Sequence, residues 1–313
     1  MKILVTGGAG FIGSEFVRSL LQNKYSEFGL EPSEVVVIDA LTYAGSLDNL
    51  AEISSDPRFK FVHGNITNFD LMLEKSKGCN LVINFAAESH VDRSIDNPAI
   101  FLETNVLGTY TVLETARRNN VNRVIQISTD EVYGSIESGS WDENAPLQPN
   151  SPYSASKASA DLVARSYVKT FGLDVIITRC CNNYGPYQNP EKLIPLLITN
   201  SLKNRDLPIY GDGKNIREWI HVIDHARAIA FLATRSESGE IYNIGSSTEW
   251  SNIEIANLIK GNIRSCTSEI EFVEDRQGHD FRYSLDVSKL LNIGFTLQIN
   301  FRSGLESLIE NYK

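Results

Sequence analysis

The sequence has only four cysteines in 313 residues: Cys79, Cys180, Cys181 and Cys266. Their spacing matches no metal-ligand pattern, and so small a number argues against a disulfide scaffold and suits a reducing compartment. Cys180 and Cys181 read as residues packed in a strand. Basic residues are also scarce, with 29 Lys and Arg against 39 Asp and Glu, a formal charge of −10. That balance disfavours a nucleic-acid binder and requires any anionic ligand to be met by a few local cations. Long apolar runs are missing too. No segment approaches the roughly 20 residues of a membrane span, and the opening MKILVTGG reaches glycines before a secretory core can form. These absences lead us to expect a cytoplasmic protein with no metal, membrane or nucleic-acid partner.

With 42% hydrophobic and 22% charged residues, the chain has enough apolar matter for a substantial core. Short apolar runs alternate with helix-like stretches through the first half. Ile3 to Val5 leads into glycines, Val35 to Ile38 ends at Asp39, Phe59 to Val62 ends at His63, and Leu81 to Phe85 ends at Ala86. Val124 to Ile127 and Asp174 to Thr178 continue the series. Helical patterns lie at Phe11 to Leu21, Thr104 to Asn119 and Ser154 to Thr170. Strands apolar on both faces and separated by helices imply a parallel sheet covered on both sides. The expected fold class is α/β, a Rossmann-type doubly wound parallel sheet with a smaller C-terminal substrate-binding lobe, whose ligands collect at the carboxyl ends of the strands. The expected division is residues 1–180 for the cofactor domain, with about 215–245 returning to it, and 181–313 mainly for the second lobe.

Gly7, Gly8, Gly10 and Gly13 follow the first strand and open a helix. There, glycines permit a tight turn and the close approach of a pyrophosphate to the helix N-terminus. Asp39 ends the second strand, where a carboxylate accepts from an adenosine ribose hydroxyl and repels a 2′-phosphate, favouring NAD over NADP. It lies 26 residues beyond Gly13 (39 − 13), and the polar stretch Tyr25 to Ser33, read as a loop insertion, accounts for the excess. The alternative for Asp39 is a carboxylate that only caps a turn.

Ser151-Pro152-Tyr153 has a helix-start signature, which places Tyr153 and Lys157 on one face at i and i+4. A tyrosine base must lose a proton near neutral pH. An ammonium about 5 Å away contributes roughly 3 kcal/mol, enough to lower the phenol by about two pH units. The alternative is an amphipathic helix with a surface lysine.

Gly7, Gly10 and Gly13 with Tyr153 and Lys157 resemble the extended short-chain dehydrogenase/reductase family. The blocks DALTYAG (39–45), AAESHVDRS (86–94), TDEVYG (129–134), RCCNNYGPY (179–187), PEKLIP (190–195), YGDG (210–213) and DRQGHD (275–280) resemble its nucleotide-sugar 4,6-dehydratase branch. The resemblance implies a tightly held NAD, a nucleotide-sugar substrate with dTDP-glucose foremost, and a homodimer formed through helices of the cofactor lobe. It implies cofactor contacts from Gly7, Gly10, Phe11, Ile12, Gly13, Asp39, Ala40, Leu41, Thr42, Gly45, Asn65, Ile66, Ala86, Ala87, Ser89, Thr104, Tyr153, Lys157 and Asn182. Substrate contacts are implied for Ser89, Thr129, Asn183, Glu191, Lys192, Leu193, Pro208, Tyr210, Arg217, Asn252, Arg276 and His279. One departure is Asn65, where the family usually has Asp facing the adenine amine; Asn is expected to accept through its amide oxygen.

The stretch Thr129-Asp130-Glu131 separates chemistries. Oxidising C4 of a hexose makes the C5 proton acidic, and loss of water then needs a base at C5 and an acid at the C6 hydroxyl. Adjacent carboxylates divide that labour because like charges held close favour a singly protonated pair. By resemblance, Asp130 is the acid, Glu131 the base, Tyr153 the C4 base and Thr129 its hydrogen-bonding partner. Arg217 and Arg276 are expected to meet the diphosphate, supported by Lys192, with surface ion pairs as the alternative for each arginine. Tyr133, Tyr184 and Tyr187 read as lobe packing. A 4-epimerase, a dehydratase of a UDP- or GDP-hexose, and a non-catalytic NAD-binding redox sensor are the competing readings.

Overall fold

The computed structural model describes residues 1–313. Six strands arise in the first part of the chain: β1 (Lys2–Thr6), β2 (Glu34–Asp39), β3 (Phe59–His63), β4 (Leu81–Asn84), β5 (Arg123–Thr129) and β6 (Val175–Cys180). Six more follow: β7 (Asn182–Tyr184), β8 (Leu207–Tyr210), β9 (Ile216–His221), β10 (Ile241–Ile244), β11 (Glu249–Ser251) and β12 (Ile270–Val273). The large sheet has the order β10-β6-β5-β4-β1-β2-β3 and is parallel throughout. Its chain reversal falls between β1 and β4, where the crevice at the carboxyl ends opens.

The period of two in the strands divides their side chains between two cores. Ile3, Val5, Val35 and Val37 join one apolar cluster, whereas Leu4, Val36 and Ile38 join the other. The helices Phe11–Leu21 and Val222–Arg235 cover the first face; Gly108–Arg118 and Pro152–Phe171 cover the second. A third cluster lies in the C-terminal half, where Leu197, Trp219, Ile255 and Leu308 pack together. Around it lie the small sheets β11-β9-β7 and β12-β8.

Two local expectations change. The stretch expected as a polar loop at 25–33 buries Tyr25 and Leu30, and the Tyr25 ring packs on Phe16 at a centroid distance of 5.4 Å. The helix expected at 104–119 begins earlier, at Pro98, and passes through a π-helical turn at Leu102–Leu107 before resuming at Gly108. That wider turn aims Asn105 at the end of β4. Its amide accepts from the Glu88 N–H at 2.9 Å and donates to the Glu88 carbonyl at 3.0 Å and to Ser156 Oγ at 2.8 Å. Such turns occur often at functional sites, and this one brings Thr104 to the cavity described next.

Candidate active site

A cavity of about 340 Å³ runs across the carboxyl ends of β1, β2, β4 and β5, within the size range of small-molecule sites. One end is the glycine turn. Gly7 sits at φ +67°, and a Cβ there would lie 2.5 Å from the Ala86 nitrogen; a Cβ on Gly13 would lie 2.4 Å from the Gly7 carbonyl. Only glycine fits such approaches. The helix Phe11–Leu21 then starts with Gly10 as its cap and no side chain over its first N–H groups, leaving them directed to an anion.

Asp39 lies beside this turn, one carboxylate oxygen accepting from the Ala9 N–H at 2.9 Å and the other from the Leu41 N–H at 2.8 Å. Each oxygen keeps a further lone pair for a ribose hydroxyl. Of the expected cofactor residues, Leu41 alone stands outside the cavity lining; its φ of +51° turns the chain while its side chain packs against the core. Asn65 departs from expectation. Its amide oxygen accepts from the Thr67 N–H at 2.9 Å and the Thr67 hydroxyl at 3.0 Å, which uses both lone pairs.

The chemical end is built where β5 stops. Thr129 caps a short 3₁₀ turn, Asp130–Tyr133, accepting from the Glu131 N–H at 3.3 Å and donating to Asp130 Oδ1 at 3.1 Å. Opposite stands the helix Pro152–Phe171, started by Ser151 and Ser154 in a reciprocal cap. Its Lys157 donates to the Ile127 carbonyl at 2.6 Å and pins the helix to β5. Asp161 on the same helix pairs with buried Arg179 of β6 at 2.9 Å, and Arg179 donates to the Tyr133 hydroxyl at 2.8 Å. Tyr133 is thus a structural tie, as its packing role implied.

The electrostatics correct the expected relation of Tyr153 and Lys157. Burial raises the Tyr153 phenol well above its ordinary value; the Glu131 charge adds to this and the Thr129 hydroxyl opposes it. Burial also lowers the Lys157 ammonium to about 8, against the opposing pull of Asp161. The lysine hydrogen-bonds the Ile127 carbonyl and not the phenol, so it does not by itself bring Tyr153 into range as a base. A cationic group seated in the cavity would supply the missing charge.

Asp130 and Glu131 are unequal. Burial pushes Asp130 well above the usual carboxylate range, and the neighbouring Glu131, Cys180 and Glu218 push it further. Its Oδ2 is buried with no partner, which suits a carboxyl carrying a proton. Burial raises Glu131 as well, but Arg276, Arg217 and Lys192 all pull it down. Asp130 has no facing cation, so of the two it is the better seat for a shared proton.

Several expected substrate residues are otherwise engaged. Arg217 is buried, donates to the carbonyls of Ile216, Asp280 and Phe281 at 2.7 to 3.2 Å, and stacks on Tyr283 at 4.4 Å. Its fork is largely spent on backbone, so it acts on Glu131 as a charge. Asn183 spends its amide on His225 at 2.9 Å, the Cys180 sulfur at 3.3 Å and the Cys181 carbonyl at 3.0 Å. Cys180 thus lines the cavity within a hydrogen-bonded group and is not merely strand packing. Glu191 pairs with Arg93 at 3.1 Å, and Lys192 donates to the Ser89 carbonyl at 3.1 Å.

Arg276 remains available, its Nε buried and unpartnered and its Nη1 3.9 Å from Asp92. Tyr210 meets His279 edge-on at 6.2 Å, and His279 contacts Asp275 at 2.6 Å, so these residues gather around Arg276. Asn252 accompanies Asn215 through a 3.1 Å backbone bond, while Pro208 lies on β8 and Leu193 starts the helix Leu193–Leu202 that precedes that strand. Sequence reasoning missed Tyr43, His225 and Tyr283. Tyr43 stood inside a block already singled out, and Arg93 lies 4.0 Å over its ring. Nothing in the sequence marked Tyr283, whose hydroxyl donates to Asp280 at 2.6 Å next to Glu131.

The family model for GDP-mannose 4,6 dehydratase matches residues 4–308. The dTDP-glucose 4,6-dehydratase of Streptomyces niveus is 48% identical over 314 residues, covering 100% of this chain and 93% of the relative. The solved dTDP-glucose 4,6-dehydratase of Streptomyces venezuelae with NAD bound superposes with a TM-score of 0.97 at 53% identity, covering 100% of this chain and 97% of that one. The UDP-glucose 4-epimerase of Thermus thermophilus, solved with NAD, shares the fold at a TM-score of 0.89 but only 29% identity, covering 100% and 99% of the two chains. With about half of its residues identical to theirs over its whole length, this chain belongs to the dTDP-glucose 4,6-dehydratase family.

Proposed function

We propose that this protein converts dTDP-glucose to dTDP-4-keto-6-deoxyglucose and water, with NAD as its cofactor. The observation that carries the reading is the carboxylate pair at the end of β5, which lines the cavity together with Thr129, Tyr153 and Lys157, Asp130 deeply buried and Glu131 facing Arg276, Arg217 and Lys192. A 4-epimerase has no use for such a pair.

NAD, when bound along the cavity, supplies an acceptor for hydride from C4 and returns it to C6. Tyr153 takes the C4 hydroxyl proton, with Thr129 bonding the same oxygen. Glu131 removes the C5 proton made acidic by the C4 ketone, and Asp130 protonates the departing C6 hydroxyl, which leaves as water. Glu131 then returns its proton to C5. Arg276 meets the diphosphate, and Tyr210, His279 and Asn252 hold the nucleoside end. Residues 1–180, with about 215–245 returning to them through the helix Val222–Arg235 and β10, carry the cofactor, and the third apolar cluster defines the substrate lobe.

We also infer a homodimer. Leu102, Leu107 and Tyr110 on the helix after β4, with Leu162 on the helix Pro152–Phe171, are all more than 40% exposed, an apolar surface that a second copy would cover. No helix is long and apolar enough to cross a membrane, and all four cysteines are free; both fit a cytoplasmic setting. The test is product analysis by NMR from dTDP-, UDP- and GDP-glucose without added NAD. Substrate deuterated at C4 should yield product deuterated at C6; retention of deuterium at C4 with an inverted hydroxyl would show an epimerase and refute the proposal.

A further inference from the structure

Asn65 lines the cofactor cavity, and its amide has a polarity that the sequence does not reveal. It lies beyond β3, whose His63 is the register partner of Asp39, and the Gly64 N–H donates to the Asp39 carbonyl at 3.0 Å. One strand farther than the ribose-facing Asp39 from the glycine turn, Gly64, Asn65 and Ile66 form the wall where the purine of a dinucleotide must lie. The Asn65 amide cannot be turned over. A backbone N–H, that of Thr67, meets Oδ1 at 2.9 Å, and the Thr67 hydroxyl adds a second bond at 3.0 Å. Both oxygen lone pairs are then used, whereas the amide nitrogen has two hydrogens and no partner within the protein.

We infer that Asn65 is a donor-only contact to the purine, so that this protein does not read the 6-amino group of its cofactor and accepts a 6-oxopurine dinucleotide nearly as well as NAD. The inference rests on the proposal that NAD is the cofactor. Adenine offers a ring-nitrogen acceptor to such a donor, and hypoxanthine offers its 6-oxo oxygen. An aspartate at this position would keep the Thr67 turn with one oxygen and accept from the 6-amino group with the other, while repelling a 6-oxo group.

The test is calorimetric titration of cofactor-stripped protein with NAD and with nicotinamide hypoxanthine dinucleotide, in the native protein and in Asn65→Asp. The two Kd values of the native protein are expected to agree within about threefold, and Asn65→Asp is expected to raise the preference for NAD by about tenfold, the worth of one hydrogen bond gained against one repulsion. A preference for NAD that is unchanged by Asn65→Asp overturns the inference. Should Asn65→Asp fail to fold, the native protein decides alone, since a preference of tenfold or more for NAD also overturns it. NAD failing to bind the native protein at all would instead refute the cofactor assignment.

Discussion

Replacing Asp130 by Asn tests both the chemistry and the electrostatics assigned to the carboxylate pair. The amide is isosteric and neutral, keeps an oxygen for the Thr129 hydroxyl at the position of Oδ1, and has no proton to give the C6 hydroxyl. General acid catalysis contributes about 10²- to 10⁴-fold, so product formation should fall by that range. C4 oxidation does not use Asp130 and should continue. Stopped-flow absorbance should therefore show reduced nicotinamide accumulating on mixing with dTDP-glucose. Stability gives a second readout. Asp130 has a folded pKa raised above its unfolded value. Its native contribution is thus fully present below about pH 4 and is lost as pH rises through the folded pKa. Relative to the native protein, Asp130→Asn should gain about 1.4 kcal/mol per pH unit above pH 4. The gain should level off at the folded pKa of Asp130, read from urea unfolding of the cofactor-free proteins. Unchanged product formation would refute the acid role. A stability difference flat from pH 4 to 8 would refute the neutral carboxyl.

Lys157→Met should abolish turnover, and in the cofactor-free state its stability relative to the native protein should be most favourable below pH 8. Because the lysine is depressed from 10.5 to about 8, the unfolded chain binds the extra proton between those values; the native protein should regain roughly 3 kcal/mol as pH rises through that window, seen as a native Tm rising relative to that of the variant. Arg217→Met removes one of the cations that lower Glu131, so the acid limb of the kcat profile should move to higher pH with KM changed less than in Arg276→Ala. In Gly13→Ala, the added Cβ would meet the Gly7 carbonyl at 2.4 Å. Displacing that turn should weaken NAD binding by about 100-fold, measured by fluorescence titration; an affinity within threefold of native would refute the close-approach argument.

The parts of the fold that were legible are those in which one strand or helix carries its own reason. The alternation Ile3, Leu4, Val5 needs two covered faces whatever the rest of the chain does, and the apolar clusters divide at those residues. The Ser151-Pro152 start of the Tyr153 helix was equally local. The π-helical turn at Leu102–Leu107 was not, because its cause is the fit of Asn105 between Glu88 and Ser156, residues 17 and 51 positions away. For the same reason the candidate site was legible as a set of residues but not as a set of free valences. Arg217 and Asn183 have suitable chemistry for a nucleotide-sugar, yet their hydrogen-bonding capacity is used by backbone and side chains that fold next to them.

The carboxylate pair shows the point most sharply. In sequence Asp130 and Glu131 are neighbours with equal claims on one proton. The short turn after β5 sends their side chains into different surroundings. One feels the charges of Cys180 and Glu218; the other those of Arg276, Arg217 and Lys192 from three separate segments of the second half of the chain. Each of those cations lowers the carboxyl it faces, and none of them has a sequence position that announces it. The inequality between the two carboxyls therefore depends on cations that the second half of the chain brings to Glu131. Removing Arg276, the first of those cations, while leaving the lobes closed should therefore shrink the inequality by raising the Glu131 pKa, measured as an acid limb of the kcat profile displaced to higher pH.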